Sequence, residues 1–231
     1  MVYKDREGAG FELAKHLTAY AGKQNVIVLG IPCGGVPVAF QVGAALHAPL
    51  DVYVVRKLGV PGQEELGFGA ISSGGIRFTD PDIVRSAGIS DLEIELITLA
   101  EGQEVQRQEI AFRGELPPLD LKGRVVILVD DGIATGGCIR SAVRSIRRMN
   151  PDRIVIAVPV APHIICRHLR PLVDEFVCLQ MPQTFAGVGE FYQDFSQVSD
   201  EAVQELLKRA RRNGATGDVH AKKIKPEGIP L

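Results

Sequence analysis

The sequence lacks a charge imbalance, a long hydrophobic run and a cysteine framework, and each absence excludes a class of protein. Its 231 residues carry 26 Lys and Arg against 28 Asp and Glu, a net charge of −2 at pH 7. Bulk binding to a phosphate backbone needs a strong basic field, so nucleic acid is not an expected partner. No apolar stretch approaches the ~20 residues that span a bilayer. The most apolar one, 154–166, is interrupted by Pro159, Pro162 and His163, so no membrane association is expected either. The four cysteines (Cys33, Cys138, Cys166 and Cys178) contain no CxxC pair, which speaks against a zinc site or a disulfide scaffold. The first residues hold acids and no long apolar core, unlike a secretory leader, and the expectation is a reduced, cytoplasmic protein.

What the chain does have is enough apolar material for a core, 45% hydrophobic against 23% charged residues. Short β-branched runs recur at 26–29, 52–55, 125–129, 154–158 and, more weakly, 175–179. They are nearly continuous rather than alternating, as strands buried on both faces of a parallel sheet are. Helical patterns at about 36–47, 137–149 and 162–170 lie between them. The alternation predicts an α/β fold, an open doubly wound parallel sheet of about five strands with right-handed crossovers. Residues 8–20 read as a leading amphipathic helix. Residues 69–79 read as two short strands around Ser-Ser-Gly-Gly, and 90–113 as a long charged helix opened by a cap-like Ser90-Asp91-Leu92-Glu93. A final helix is expected at about 199–212. The domain is expected to span 1–212, with an irregular segment at 180–198 and a basic, flexible tail at 213–231.

One stretch carries chemistry: Val125-Val-Ile-Leu-Val-Asp-Asp-Gly-Ile-Ala-Thr-Gly-Gly-Cys138. An apolar strand ends in two acids, and a loop of small residues leads into a helix. Ligands of open α/β sheets bind outside the carboxyl ends of strands, and a helix N-terminus offers free N–H groups to a phosphate. Gly136 and Gly137 let the backbone approach closely, and Thr135 adds a hydroxyl. Asp130 and Asp131 beside a phosphate need donors rather than more negative charge, and the vicinal hydroxyls of a ribose supply them. An N-cap Asp and an ordinary turn would explain one acid but not two.

This segment resembles the phosphoribosyl-pyrophosphate (PRPP) motif of the type I phosphoribosyltransferases, and the likeness extends over about residues 8–200. The resemblance implies that Asp130 and Asp131 hold the ribose hydroxyls. It implies that Ala134, Thr135, Gly136, Gly137 and Cys138 cradle the 5′-phosphate. The Gly-rich turn after the first strand resembles the family's pyrophosphate loop, which gives that role to Cys33, Gly34 and Gly35. Arg56 and Lys57, followed by a Gly/Pro-rich loop, resemble the family's flexible catalytic loop in its adenine-type form. That reading makes the two cations partners of pyrophosphate and 56–70 a lid, with Glu64 or Glu65 orienting the acceptor; the plainer reading is a surface hairpin with solvated charges. The segment 180–198 takes the hood position. There Phe185, Phe191 and Tyr192 either stack on a planar base or pack the hood against the sheet.

The resemblance further implies Mg²⁺ held mainly by the oxygens of PRPP, a small-molecule acceptor and a homodimer. Three features depart from the family pattern. Cys33 stands where a basic residue is common. Cys138 replaces a Thr or Ser hydroxyl at the phosphate, a loss of about 0.5–1.5 kcal/mol, and a helix N-terminus could make its thiol reactive. Ala134 replaces the Asp that serves 6-oxopurine acceptors, which points away from hypoxanthine and guanine. The stretch 80–118 has no counterpart in the family pattern. The competing reading is a non-catalytic sensor of PRPP or a nucleotide on the same fold.

Overall fold

The computed structural model describes residues 2–212; the tail expected at 213–231 and the side chain of Glu65 lie outside the described residues. The apolar runs form a five-stranded, wholly parallel sheet in the order β2-β1-β6-β7-β8, made of Leu50–Val52, Val26–Gly30, Val125–Val129, Arg153–Val160 and Glu175–Gln180. Side chains alternate across it. Val26, Val28, Val125, Ile127 and Val129 pack into one core layer, while Ile27, Leu29, Val126 and Leu128 pack into another on the opposite face. Both faces are therefore covered, which is why the runs are continuous in the sequence. Helices α2 (Gly35–Leu46), α5 (Gly137–Arg148) and α6 (His163–Leu169) follow the strands as expected.

The order reverses between β1 and β6, because the strand after β1 lies on one side of it and β6 on the other. That is a topological switch point, and the crevice outside the carboxyl ends of these two strands is where such sheets bind ligands. The turn Ile31–Gly34 and the acid pair Asp130-Asp131 emerge there.

The run expected as one strand at 52–55 is divided. Its first residue closes β2, while Val55 opens a second sheet. Between them Tyr53 N–H still donates to Gly30 C=O (3.0 Å), but Val54 already trades hydrogen bonds with Ser73. The chain leaves the parallel sheet here, and its burial keeps it apolar throughout, so composition does not mark the break. The second sheet is antiparallel, order β3-β4-β5, from Val55–Val60, Gln63–Ser72 and Ile76–Thr79. The expected strand pair at 69–79 is its β4–β5 half. The segment read as a loop-like lid is its β3–β4 half, a hairpin turning at Pro61-Gly62 whose register shifts on either side of Gly59. Its base is pinned by a buried cluster of hydroxyls, Tyr53, Ser72 and Ser145, the last on α5.

The insert forms α3 (Pro81–Ala87) and the 23-residue α4 (Asp91–Arg113). The expected cap is a full capping box: Ser90 Oγ accepts from Glu93 N–H, and the Glu93 carboxylate accepts from Ser90 N–H. At its far end Arg113 is buried, donating to Asp51 of β2 (3.3 Å) and to Pro117 C=O (2.7 Å). This contact clamps the insert to the sheet. The leading helix α1 is shorter than expected, Arg6–Ala14, followed by a separate 3₁₀ turn at Thr18–Tyr20. The last helix, α7, runs over Asp200–Arg212. No helix among the described residues is long and apolar enough to cross a membrane.

Candidate active site

The loops after β1 and β6 are in direct contact. A Cβ built on Gly34 would sit 2.0 Å from Asp131 Oδ2, and one on Gly35 would sit 2.8 Å from Val129 O and 3.0 Å from Asp130 Oδ1. Any larger residue at these positions would force the two loops apart. The Pro32–Cys33 peptide bond within the turn is cis. Gly136 is the N-cap of α5 with φ +78°, a conformation that favours glycine. It sets Ala134 and Thr135, both exposed, at the mouth of the helix N-terminus, with Cys138 half-buried in its first turn.

The acid pair is half-buried, and the two carboxylates titrate high. For Asp130 the main cause is burial, with the Asp131 charge adding to it, and the carboxyl lies well above its ordinary value. Burial also raises Asp131, opposed by a guanidinium: Arg6 Nε donates to Asp131 Oδ2 at 2.7 Å. Arg6 also donates to Ser196 C=O (2.8 Å) and stacks on Phe195. Sequence reasoning missed Arg6, because the pairing spans 125 residues and leaves no local pattern.

Between the ordinary carboxylate value, about pH 4, and the raised folded value, the folded protein holds more protons than the unfolded chain. Stability without ligand therefore falls as pH rises through that window. Asp130→Asn cannot ionise and keeps an oxygen for the Asp131 N–H it now receives at 2.9 Å. Its melting temperature is expected to exceed that of wild type near pH 7, with the gap closing toward about pH 4. Thermal denaturation of the two proteins across pH checks this, and a pH-independent gap contradicts it.

Of the two cations expected at the pyrophosphate, Arg56 is held in an ion pair. Arg56 Nε donates to Glu101 Oε2 of α4 at 2.7 Å. Lys57 lines a cavity with Thr135, Gly137 and Arg140, which places it beside the phosphate loop. Arg140, also unforeseen, has a buried Nε with no acceptor, as an anion-facing group at a helix N-terminus would. Glu64 stands exposed at the hairpin tip, where its carboxylate accepts from Gly62 N–H (3.3 Å).

The surroundings of Cys138, Cys33 and Tyr192 bear on readings that the sequence leaves open. Burial raises the Cys138 thiol, and the Asp130 charge adds to that, against the opposing fields of Lys57 and Arg56, which runs opposite to activation by the helix N-terminus. Cys33 likewise is raised to about 11, by burial first and then by Asp200, toward which its Sγ points at 3.6 Å. Tyr192 is not free to stack on a base. It is 6% exposed, packed on Tyr3 and Phe195, and its hydroxyl donates to the Asp131 backbone carbonyl. The hood therefore props the acid pair from behind. Phe185 and Phe191 stack on each other with ring centroids 5.8 Å apart and are half-buried.

Among the described residues no group of three or more His, Cys, Asp or Glu side chains is placed to hold a metal ion. The two carboxylates fit a cation that brings most of its own oxygen ligands, as a nucleotide-type Mg²⁺ does.

Paired acids at one strand end meet a glycine turn at the next, and the helix that follows the acids opens at Gly136, all at the switch point of a doubly wound sheet. Comparison with known proteins narrows the class. The family model described as "Phosphoribosyl transferase domain" matches residues 4–193, and the chain belongs to that family. A Mycobacterium tuberculosis protein, named provisionally as a phosphoribosyl transferase, is 44% identical over 214 residues, 93% of this chain and 48% of its own length. The chain thus spans about half the length of the curated relatives it matches. The crystal structure of TT1426 from Thermus thermophilus superposes with a TM-score of 0.79 at 38% identity, covering 90% of this chain and 99% of that one. The fold is that of the type I phosphoribosyltransferases.

Proposed function

We propose that the protein transfers the phosphoribosyl group of PRPP to a nitrogenous base and releases pyrophosphate. The observation that carries this reading is the contact at the switch point: the Asp130-Asp131 pair lies against the Gly34-Gly35 turn with no room for a side chain between them. A ribose held by the acids then has its 5′-phosphate at the α5 N-terminus and its C1 leaving group above the turn. Mg²⁺ would arrive on PRPP and neutralise the pyrophosphate as it leaves. Asp130 and Asp131 accept from the ribose hydroxyls, the Thr135–Cys138 amides and Arg140 take the 5′-phosphate, and Arg56, Lys57 and the amides of 33–35 take the pyrophosphate. The C1–oxygen bond breaks with its electron pair going to pyrophosphate, and an acceptor lone pair forms the new bond to C1. These residues act by holding charge in place before it develops. In this reading the β3–β4 hairpin covers the site and excludes water, with Glu64 and the Phe185–Phe191 pair facing the acceptor. A cytoplasmic homodimer is the expected form.

The test is pyrophosphate release from PRPP and Mg²⁺ with a panel of bases. Release is expected with at least one base and not with hypoxanthine or guanine, since Ala134 offers them no carboxylate. PRPP binding without release on any base would replace the transferase with a sensor of the same ligand.

A further inference from the structure

The helical insert reaches the candidate pyrophosphate pocket. Arg107, near the middle of α4, donates from Nη1 and Nη2 to Asp200 Oδ2 at 3.1 and 3.2 Å. Its Nε and Nη2 also donate to Glu104, both at 2.8 Å. The other oxygen of the same Asp200 carboxylate faces Cys33 Sγ. Arg107 is thus one carboxylate away from the turn after β1, close enough for its charge to act on the Cys33 thiol. Nearly two turns earlier on the same helix, Glu101 holds Arg56.

The charges are oddly placed for a site that takes pyrophosphate. Cys33 supplies no cation, and Asp200 sets a negative charge beside the turn. Left alone, that carboxylate would repel the ligand. Arg107 neutralises it, and its side chain is 53% exposed, so the guanidinium has room to turn toward an incoming anion. Arginine suits this exchange, because its planar fork takes two oxygens of a phosphate as readily as it takes a carboxylate.

Resting on the proposed function above, we infer that Arg107 is a pyrophosphate-binding residue supplied by the insert, taking the place of the cation that the turn lacks at Cys33. In the free protein Asp200 and Glu104 hold it in reserve; with pyrophosphate present it exchanges Asp200 for a phosphate oxygen. This also gives the insert a purpose beyond packing.

The plainer explanation is a tie between α4 and α7, and the two make opposite predictions for Asp200. Calorimetric titration of the full chain with Mg²⁺ and inorganic pyrophosphate separates them. Arg107→Gln is expected to weaken pyrophosphate binding about tenfold, the loss of one charge-assisted contact at a partly exposed site. Asp200→Asn is expected to tighten it, because the carboxylate no longer competes for Arg107. Arg77→Gln, which removes the Arg77–Glu95 ion pair elsewhere on α4, is expected to leave it unchanged. If Arg107→Gln binds like wild type, or if Asp200→Asn fails to bind more tightly than wild type, the inference is overturned. If wild type binds neither Mg²⁺-pyrophosphate nor Mg²⁺-PRPP, the functional reading itself fails, and this inference falls with it. All four proteins are compared by thermal denaturation, so that a loss of fold is not taken for a loss of binding.

Discussion

Replacing Asp131 with Asn is expected to leave the protein folded and to remove most of its affinity for PRPP. The carboxylate accepts from Arg6 on one side and, in the proposed complex, from a ribose hydroxyl on the other. Each such charge-assisted bond is worth about 1.5–3 kcal/mol, so losing one costs roughly 10- to 150-fold in affinity. The amide also turns an NH₂ group toward hydroxyls that need an acceptor, which deepens the loss. The fold is expected to tolerate the change because Asn keeps one oxygen for Arg6, and the support from Tyr192 falls on the backbone carbonyl rather than on the side chain. Calorimetric titration with Mg²⁺ and PRPP, beside circular dichroism of the unliganded protein, checks both halves. Undiminished binding would mean that the acids do not hold the ribose.

The second large effect concerns the clamp between insert and sheet. Arg113→Met leaves the Asp51 carboxylate buried without its guanidinium, and removing one member of a buried pair costs about 3–5 kcal/mol. For a chain of this size that lowers the melting temperature by roughly 6–20 °C, at about 2–4 °C per kcal/mol. The double variant Asp51→Asn/Arg113→Met is expected to recover much of the loss, since it removes the stranded charge while its amide oxygen still serves the Val52 N–H that Asp51 Oδ1 now receives at 2.8 Å. Thermal and urea denaturation of the three proteins measure it. A single variant within about 1 kcal/mol of wild type would show that α4 docks through its apolar face alone.

What the sequence makes legible follows from how local the signals are. The strand-acid-acid-loop-helix pattern at 125–138 lies in one stretch of chain, and both the β6–α5 unit and the position of the acids match it residue for residue. The capping box at Ser90 is similarly local. The division of 52–55 is hidden because Tyr53 and Val54 are as buried between the two sheets as they would be inside one. In the hairpin at 56–70 Pro61 and Gly62 make the turn, where Gly62 has φ +75°, and other glycines allow close packing, so composition alone reads it as a loop: a Cβ on Gly69 would sit 2.3 Å from Phe78 O. The cations are the deepest gap. Arg6 and Arg107 reach the site from 125 and 93 residues away from their carboxylate partners, and no spacing rule links such positions. Tyr192 shows the same limit: an aromatic in the hood reads equally as a stacking platform or as packing until its neighbours are known.

A thermal shift of wild type with Mg²⁺ and PRPP reports whether the Asp130-Asp131 crevice binds PRPP. Ligand at ~100 times its dissociation constant stabilises by about 2.7 kcal/mol. That corresponds to a rise of roughly 5–11 °C in melting temperature, which Asp131→Asn should lack. No shift in wild type at millimolar PRPP would contradict the account.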